Sequence, residues 1–135
     1  KIFKHPFLFL IMAQDINQEG TNNCIFCKIS SGEISSERIY KNENFFSIYD
    51  QNQEVKGHSL VISKKHFSNT LEVPTNLAED MLDCIKETSK KLMDKYSATG
   101  FNVLGNNGKV SGQLIDHFHV HIIPRNSSDN VQIPF

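Results

Sequence analysis

Between Ile39 and Ile62 the apolar residues fall into short β-prone runs, Ile39-Tyr40, Phe45-Phe46, Ile48-Tyr49 and Leu60-Val61-Ile62. Between them lie the turn-forming stretches Lys-Asn-Glu-Asn and Gln-Asn-Gln-Glu-Val-Lys-Gly. The pattern predicts antiparallel strands. After Pro74 the period lengthens: Leu77, Met81, Ile85, Thr88, Leu92 and Tyr96 recur every three or four residues and line one face of a helix. Asn76 with Glu79 predicts a capping box, Asp80 suits the positive N-terminal end, and Gly100 is the expected stop. Phe101 to Leu104 reads as a further strand, followed by Gly105-Asn106-Asn107-Gly108-Lys109-Val110-Ser111-Gly112, whose residues tolerate positive φ. Such a loop can turn backbone N–H groups toward an anion, but idle hairpin turns share its composition.

The segment His117-Phe118-His119-Val120-His121-Ile122-Ile123-Pro124 alternates strictly, which puts three imidazoles on one strand face and Phe118, Val120 and Ile122 on the other. The apolar face is expected to cover the helix stripe and the histidine face to open on a cleft. No apolar period occurs from Ala13 to Asn23, so residues 1–23 are read as a disordered leader or extension and residues 24–135 as one domain. Ahead of the polar stretch, Lys1 to Met12 has the outline of a weak signal peptide with a short apolar run. Met12 as the genuine start is the preferred reading. One long helix with about five strands makes the fold class α+β.

Composition narrows the function classes. A chain of 135 residues with 39% hydrophobic content has room for one core. A formal net charge of -1 gives no drive toward a long polyanion, so no nucleic acid partner is expected, and no apolar run is long enough to make a membrane partner. Three cysteines, with Cys24 and Cys27 close together, do not form a disulfide framework. A reducing, cytoplasmic location is expected, or a nuclear one in a eukaryote. Cys84 lies inside the predicted helix beside its stripe and reads as a small buried hydrophobe.

Three imidazoles on one face carry donors and acceptors that all need partners, which makes a purely structural role improbable. Two chemistries suit the row. Neutral imidazoles can converge on zinc or copper. Alternatively, an imidazole that is neutral near pH 7 can attack phosphorus while its neighbours stabilise charge and donate a proton. Spacing alone leaves both open. Cys24-x-x-Cys27 is similarly open between a redox dithiol, half of a zinc site, and an accident, although no βαβ pattern surrounds it to favour the redox reading. His66, in Lys64-Lys65-His66, reads as a surface or helix-start residue.

The string His117-Phe118-His119-Val120-His121-Ile122-Ile123 resembles the His-x-His-x-His signature of the histidine triad family. Other segments agree, in the family's order: Asn23-Cys24-Ile25-Phe26-Cys27-Lys28-Ile29, Ser31-Gly32-Glu33-Ile34, Lys56-Gly57-His58-Ser59-Leu60-Val61-Ile62, and Asn106-Asn107-Gly108 followed by Gly112-Gln113. The similarity spans about Cys24 to Arg125 and is nearest to the Cys-containing, nucleotide-binding branch. It implies a homodimer of protomers, each with a strongly bent antiparallel sheet and one long helix, the sheets continuing across the interface. It also implies hydrolysis of purine nucleoside phosphoramidates or related nucleotidyl conjugates through a nucleotidyl-histidine intermediate.

By the same resemblance His119 is the nucleophile, attacking through its far nitrogen while its near N–H is held by a backbone carbonyl, that of His117. His121 and Gln113 match positions that contact the phosphate and its bridging oxygen, and Asn106 one that contacts phosphate or nucleotide. Asp50 matches the acid that accepts ribose hydroxyls, and Ile25, Phe26 and Ile29 the apolar wall around the base. In similar Cys-containing members the cysteine pair joins two histidines on a structural zinc, here implying Cys24, Cys27, His58 and His117. Such a closed set has no open position for water, and it would fix the start of the strand that carries His119.

Two departures bear on function. Many related phosphoramidases carry serine or threonine after the glutamine, where this chain has Leu114, which can neither donate nor relay a proton. Gln51 replaces a residue that is usually apolar. The competing readings are a dinucleoside polyphosphate hydrolase, whose triad is also followed by a Pro-Arg pair like Pro124-Arg125, and a zinc-stabilised nucleotide-binding adaptor with little turnover.

Overall fold

A computed structural model describes residues 23–53 and 55–133. The leader expected over 1–23 lies almost wholly outside the described residues, as does the signal-peptide outline before Met12. Five strands form one antiparallel sheet: β1 (Arg38–Lys41), β2 (Phe45–Tyr49), β3 (Ser59–Ser63), β4 (Gly100–Leu104) and β5 (His119–Arg125), in the spatial order β1-β2-β3-β5-β4. The first three strands form a meander through short connections. A long helix, α2 (Ala78–Tyr96), then carries the chain to β4, leaving β5 to return between β3 and β4. Together these elements form the α+β fold read from the periodicities. Among the described residues no helix is long and apolar enough to cross a membrane.

The sheet has an apolar layer on each face. On one side Phe45, Val61, Phe118, Val120 and Ile122 meet Cys84 and Leu92 of α2, with Met81, Ile85 and Tyr96 packed against them. On the other, Phe46, Ile48, Leu60 and Ile62 meet Ile25, Phe26 and Ile29 of a short helix, α1 (Ile25–Ser31). Leu60 and Ile62 are directly opposite His121 and His119, so the histidine row shares the α1 face. Opposed residues of paired strands point to the same side of a sheet.

Three local details differ from the sequence reading. The capping box from Asn76 does not form, because Thr75–Leu77 is a 3₁₀ turn and moves the helix start to Ala78. Glu79 and Asp80 still occupy the first turn, where their charge opposes the helix dipole. The helix ends at Ser97, in the left-handed conformation, and Gly100 instead opens β4. Finally, α1 has no counterpart in the sequence reading. It spans seven residues, too short to show a helical period, and is held by burial of Ile25, Phe26 and Ile29.

Candidate active site and metal centre

β5 begins where the chain leaves Ile115 and His117, and its register against β3 assigns each histidine its neighbours. Every step forward along β3 is a step backward along β5, from Ser59 opposite Ile122 to Ile62 opposite His119. His117 therefore lies beyond the C-terminal end of β3, near Ser63 and His66, and His58 lies off its N-terminal end, near His121. The ends are about 15–20 Å apart by the rise of a strand. His58 consequently cannot complete a site with Cys24, Cys27 and His117, and the ligand set implied by the family resemblance needs correcting.

His66 takes that place. Cys24, Cys27, His66 and His117 bring four donor atoms within 4.8 Å of one another. Cys24 precedes α1 and Cys27 lies in its first turn, so both sulfurs reach the same side. His117 Nδ1 is 3.2 Å from Cys24 Sγ, 3.5 Å from Cys27 Sγ and 3.2 Å from His66 Nδ1, and Cys27 Sγ is 3.3 Å from His66 Nδ1. His117 Nε2–H donates to the carbonyl oxygen of Ser63 at 2.7 Å, which leaves Nδ1 as a bare lone pair facing the sulfurs.

Donors around a tetrahedral zinc lie about 3.3 Å apart when both are nitrogen and about 3.6 Å apart when one is sulfur, by the usual bond lengths. The four donors fit that cage in kind and in spacing. Without a cation the site disfavours charge: burial pushes the Cys24 thiol up, burial and then the neighbouring Cys24 push Cys27 up to about 12, and burial brings His117 down to about 4. A bound cation reverses the preference of both thiols. His66 was missed because its Lys-Lys-His context reads as surface, and its signal lay only in the β3–β5 register.

His119 is the half-exposed member of the row. Its Nδ1–H donates to the carbonyl oxygen of His117 at 2.8 Å, which assigns the lone pair to Nε2, the nitrogen used by a nucleophile. The ring meets Phe26 edge-on at 5.2 Å and His121 at 5.3 Å between centroids. Phe26 also edges His117 at 5.7 Å, so one buried aromatic buttresses both rings. Ile25, Phe26 and Ile29, expected to wall a base, are themselves core residues.

Other expected contacts are engaged within the protein. Gln113 Nε2 donates to the carbonyl oxygens of Ser68 and Ile115, at 2.6 and 3.0 Å, while its Oε1 accepts from Gly108 N–H at 2.7 Å. Gln113 thereby ties the 105–112 loop to Ser68 and Ile115. The N–H groups of Ser111, Gly112 and Gln113 also donate to carbonyl oxygens of the loop, so these three are not turned toward an anion. Asn106 is half-buried at the loop's start, facing Gly112.

Asp50, expected to accept ribose hydroxyls, is buried at the end of the β2–β3 hairpin. Its backbone N–H donates to the carbonyl oxygen of His58, continuing the β2–β3 register, and its fully buried side chain faces His58, with Oδ2 3.5 Å from Nε2. His58 Nε2 lies 2.9 Å from His121 Nδ1. Asp50, His58 and His121 thus form a second buried cluster, at the opposite end of β3 from the first. Arg125 is engaged as well: its guanidinium grips both oxygens of Asp129, at 2.8 and 3.0 Å, and donates to Asn102 and the Val131 carbonyl.

An antiparallel sheet with a histidine row, a Cys/His cluster at the head of that row and an imidazole with its outer nitrogen free of protons is the constellation of phosphoryl-transfer enzymes that use histidine. The HIT domain profile matches residues 31–128, and the chain belongs to that histidine triad family, in its Cys/His-containing branch. It is accordingly a hydrolase of the histidine triad type, acting on nucleotidyl P–N or P–O bonds through histidine. Protein hit of Bacillus subtilis is 41% identical over 103 residues, 76% of this chain and 71% of that protein. Adenosine 5'-monophosphoramidase HNT1 of Candida albicans is 36% identical, over 76% of this chain and 70% of that one. Among solved structures, SMU.412c from Streptococcus mutans aligns with a TM-score of 0.79 and 38% identity, over 87% of this chain and 76% of that one.

Proposed function

We propose that the chain is a nucleoside phosphoramidase, cleaving the P–N bond of purine nucleoside phosphoramidates or related conjugates in two steps through a nucleotidyl-His119 intermediate. The observation that carries this is the His119 Nδ1–H bond to the His117 carbonyl, which leaves Nε2 as a fixed lone pair. Attack by Nε2 on phosphorus breaks the P–N bond, and the nitrogen takes up a proton to leave as a neutral amine. Water then attacks the same phosphorus, breaks the bond to Nε2 and gives up a proton that makes good the one carried off by the amine, freeing His119. Charge on the non-bridging oxygens needs positioned donors, and His121, beside His119 on the same face, is the nearest imidazole to supply one. Support for the amidate substrate comes from similarity to monophosphoramidases of three yeasts. The polyphosphate alternative drew on Pro124-Arg125, and Arg125 is committed to Asp129.

Zinc at Cys24, Cys27, His66 and His117 completes the reading. All four positions are filled by protein, so the ion is structural, and it fixes the residue whose carbonyl orients His119. A homodimer formed through the β4 edge is part of the same proposal. Among the described residues that strand has a sheet partner on one side only, and Phe101 and Val103 are 43% and 47% exposed on it. A cytoplasmic location suits the reduced cysteines.

Turnover of adenosine 5'-phosphoramidate and of a diadenosine polyphosphate by the wild type and by His119→Ala tests the reading. The wild type is expected to prefer the amidate, and the variant to lose at least about 10⁴-fold in kcat, on the scale of removing a catalytic nucleophile. Persistent turnover in the variant would falsify His119 as the attacking group. Preference for the polyphosphate transfers the function to that class, and binding without turnover favours an adaptor.

A further inference from the structure

His121 can donate to a phosphoryl oxygen only from a nitrogen that carries a proton, and two buried residues bear on which one does. Asp50 and His58 have side chains with no solvent exposure, and His121 is 4% exposed. His58 Nε2 and His121 Nδ1 are 2.9 Å apart, a hydrogen-bond distance and shorter than the ~3.3 Å kept by two nitrogens on one tetrahedral metal. One proton therefore lies between the rings, on one nitrogen or the other. The carboxylate of Asp50, with Oδ2 3.5 Å from the same His58 Nε2, decides the choice. A carboxylate accepts and does not donate, so it favours a proton on the nitrogen it faces.

We infer that Asp50, acting through His58, is a positioning residue that sets the tautomer of His121, leaving its remaining proton on Nε2 as a donor to the phosphoryl oxygens. His58 Nε2–H donates to His121 Nδ1, and His121, its Nδ1 now an acceptor, carries its own hydrogen on Nε2. That nitrogen is on the edge not engaged with His58, in the ring standing 5.3 Å from His119. The opposite tautomer would aim a lone pair at oxygens that gain negative charge in the transition state. The backbone explains why these residues meet. Asp50 and His58 are opposite each other at the end of the β2–β3 hairpin, and His58 is the diagonal neighbour of His121 across β3 and β5.

The kinetic arm of the test rests on the phosphoramidase reading, and the spectroscopic arm does not. Long-range ¹H–¹⁵N spectra of the full chain, labelled at histidine, report the tautomer of His121 directly. The wild type is expected to show Nε2–H, and Asp50→Asn, whose amide can donate to His58 Nε2, is expected to move the proton of His121 to Nδ1. An Nδ1–H tautomer in the wild type, or no change in the variant, overturns the proposal. In turnover, Asp50→Asn is expected to lower kcat about 10²-fold with KM within about twofold, the scale of losing one oxyanion donor. The same loss is expected on a 2',3'-dideoxyadenosine phosphoramidate. A loss confined to the ribonucleoside substrate makes Asp50 a ribose contact and refutes the tautomer role. His58→Gln, whose amide donates without a tautomer choice, is expected to recover most of the rate lost in His58→Ala and to be insensitive to Asp50→Asn. If the wild type turns over neither substrate, the reading of the site fails, and the spectra alone decide the tautomer.

Discussion

Gly57 sits immediately before His58, with φ at +89°, beneath the long helix. A Cβ added there would lie 2.7 Å from both Cδ2 and Cε2 of Tyr96 and 2.9 Å from Cγ of Pro124. The ring contacts fall 0.7 Å inside the 3.4 Å where ordinary contact begins. Gly57→Ala therefore incurs two separable costs. A left-handed φ costs an alanine about 1–2 kcal/mol, and forcing a methyl into a filled space costs about 1–3 kcal/mol, for a total of about 2–5 kcal/mol.

Gly32 supplies the control: its φ is +85°, but nothing lies within 4 Å of its added Cβ, so Gly32→Ala should cost only the backbone part, about 1–2 kcal/mol. Urea unfolding followed by far-UV circular dichroism gives both values, with the m-value checked for constancy. The expected outcome is a Gly57 variant at least 1 kcal/mol worse than the Gly32 variant, with Gly57→Ala costing less in a Tyr96→Ala background than in the wild type, as a double-mutant cycle reads it. Equal destabilisation at the two glycines would show that Tyr96 and Pro124 yield freely, refuting the close-packed contact between the β2–β3 turn and α2. Because Gly57 leads into His58, its variant is also expected to lose more phosphoramidate turnover than Gly32→Ala.

Further outcomes follow from the Cys/His cluster and the core. Protein purified without chelator is expected to hold about one zinc per chain by elemental analysis, falling to well under half in Cys27→Ser and in His66→Ala but not in His58→Ala. Full zinc in His66→Ala would restore the ligand set first implied by the sequence. In chelator-treated protein, His117 is an acid-labile point: its pKa is about 4 in the fold against 6.5 when free, so the unfolded chain binds the proton first. Stability is fully present above pH 6.5 and declines by up to about 3 kcal/mol as pH falls toward 4, and a pH series of urea melts should be visibly flatter in His117→Gln. Leu92→Ala, at a position only 1% exposed between α2 and the sheet, is expected to cost about 2–5 kcal/mol with the metal content unchanged.

The strand and helix periods and the histidine face were legible in the chain, because side-chain alternation is a local property written residue by residue. Phe118, Val120 and Ile122 go to the α2 layer, leaving His117, His119 and His121 on the other side. What the sequence could not determine was which distant residue each histidine meets. That depends on strand register, and the antiparallel pairing of β3 with β5 puts His66 by the cysteines and His58 by His121. The hairpin end turns Asp50 inward to His58, and the 105–112 loop takes up Gln113. The short helix α1 was invisible for a related reason. It is too brief for a period to show and exists because tertiary burial holds Ile25, Phe26 and Ile29, while aiming Cys24 and Cys27 at His117. Local pattern determined the faces of this protein, and pairing across long sequence separations determined the partners, since no residue's own neighbours along the chain encode a contact made 40 or more positions away.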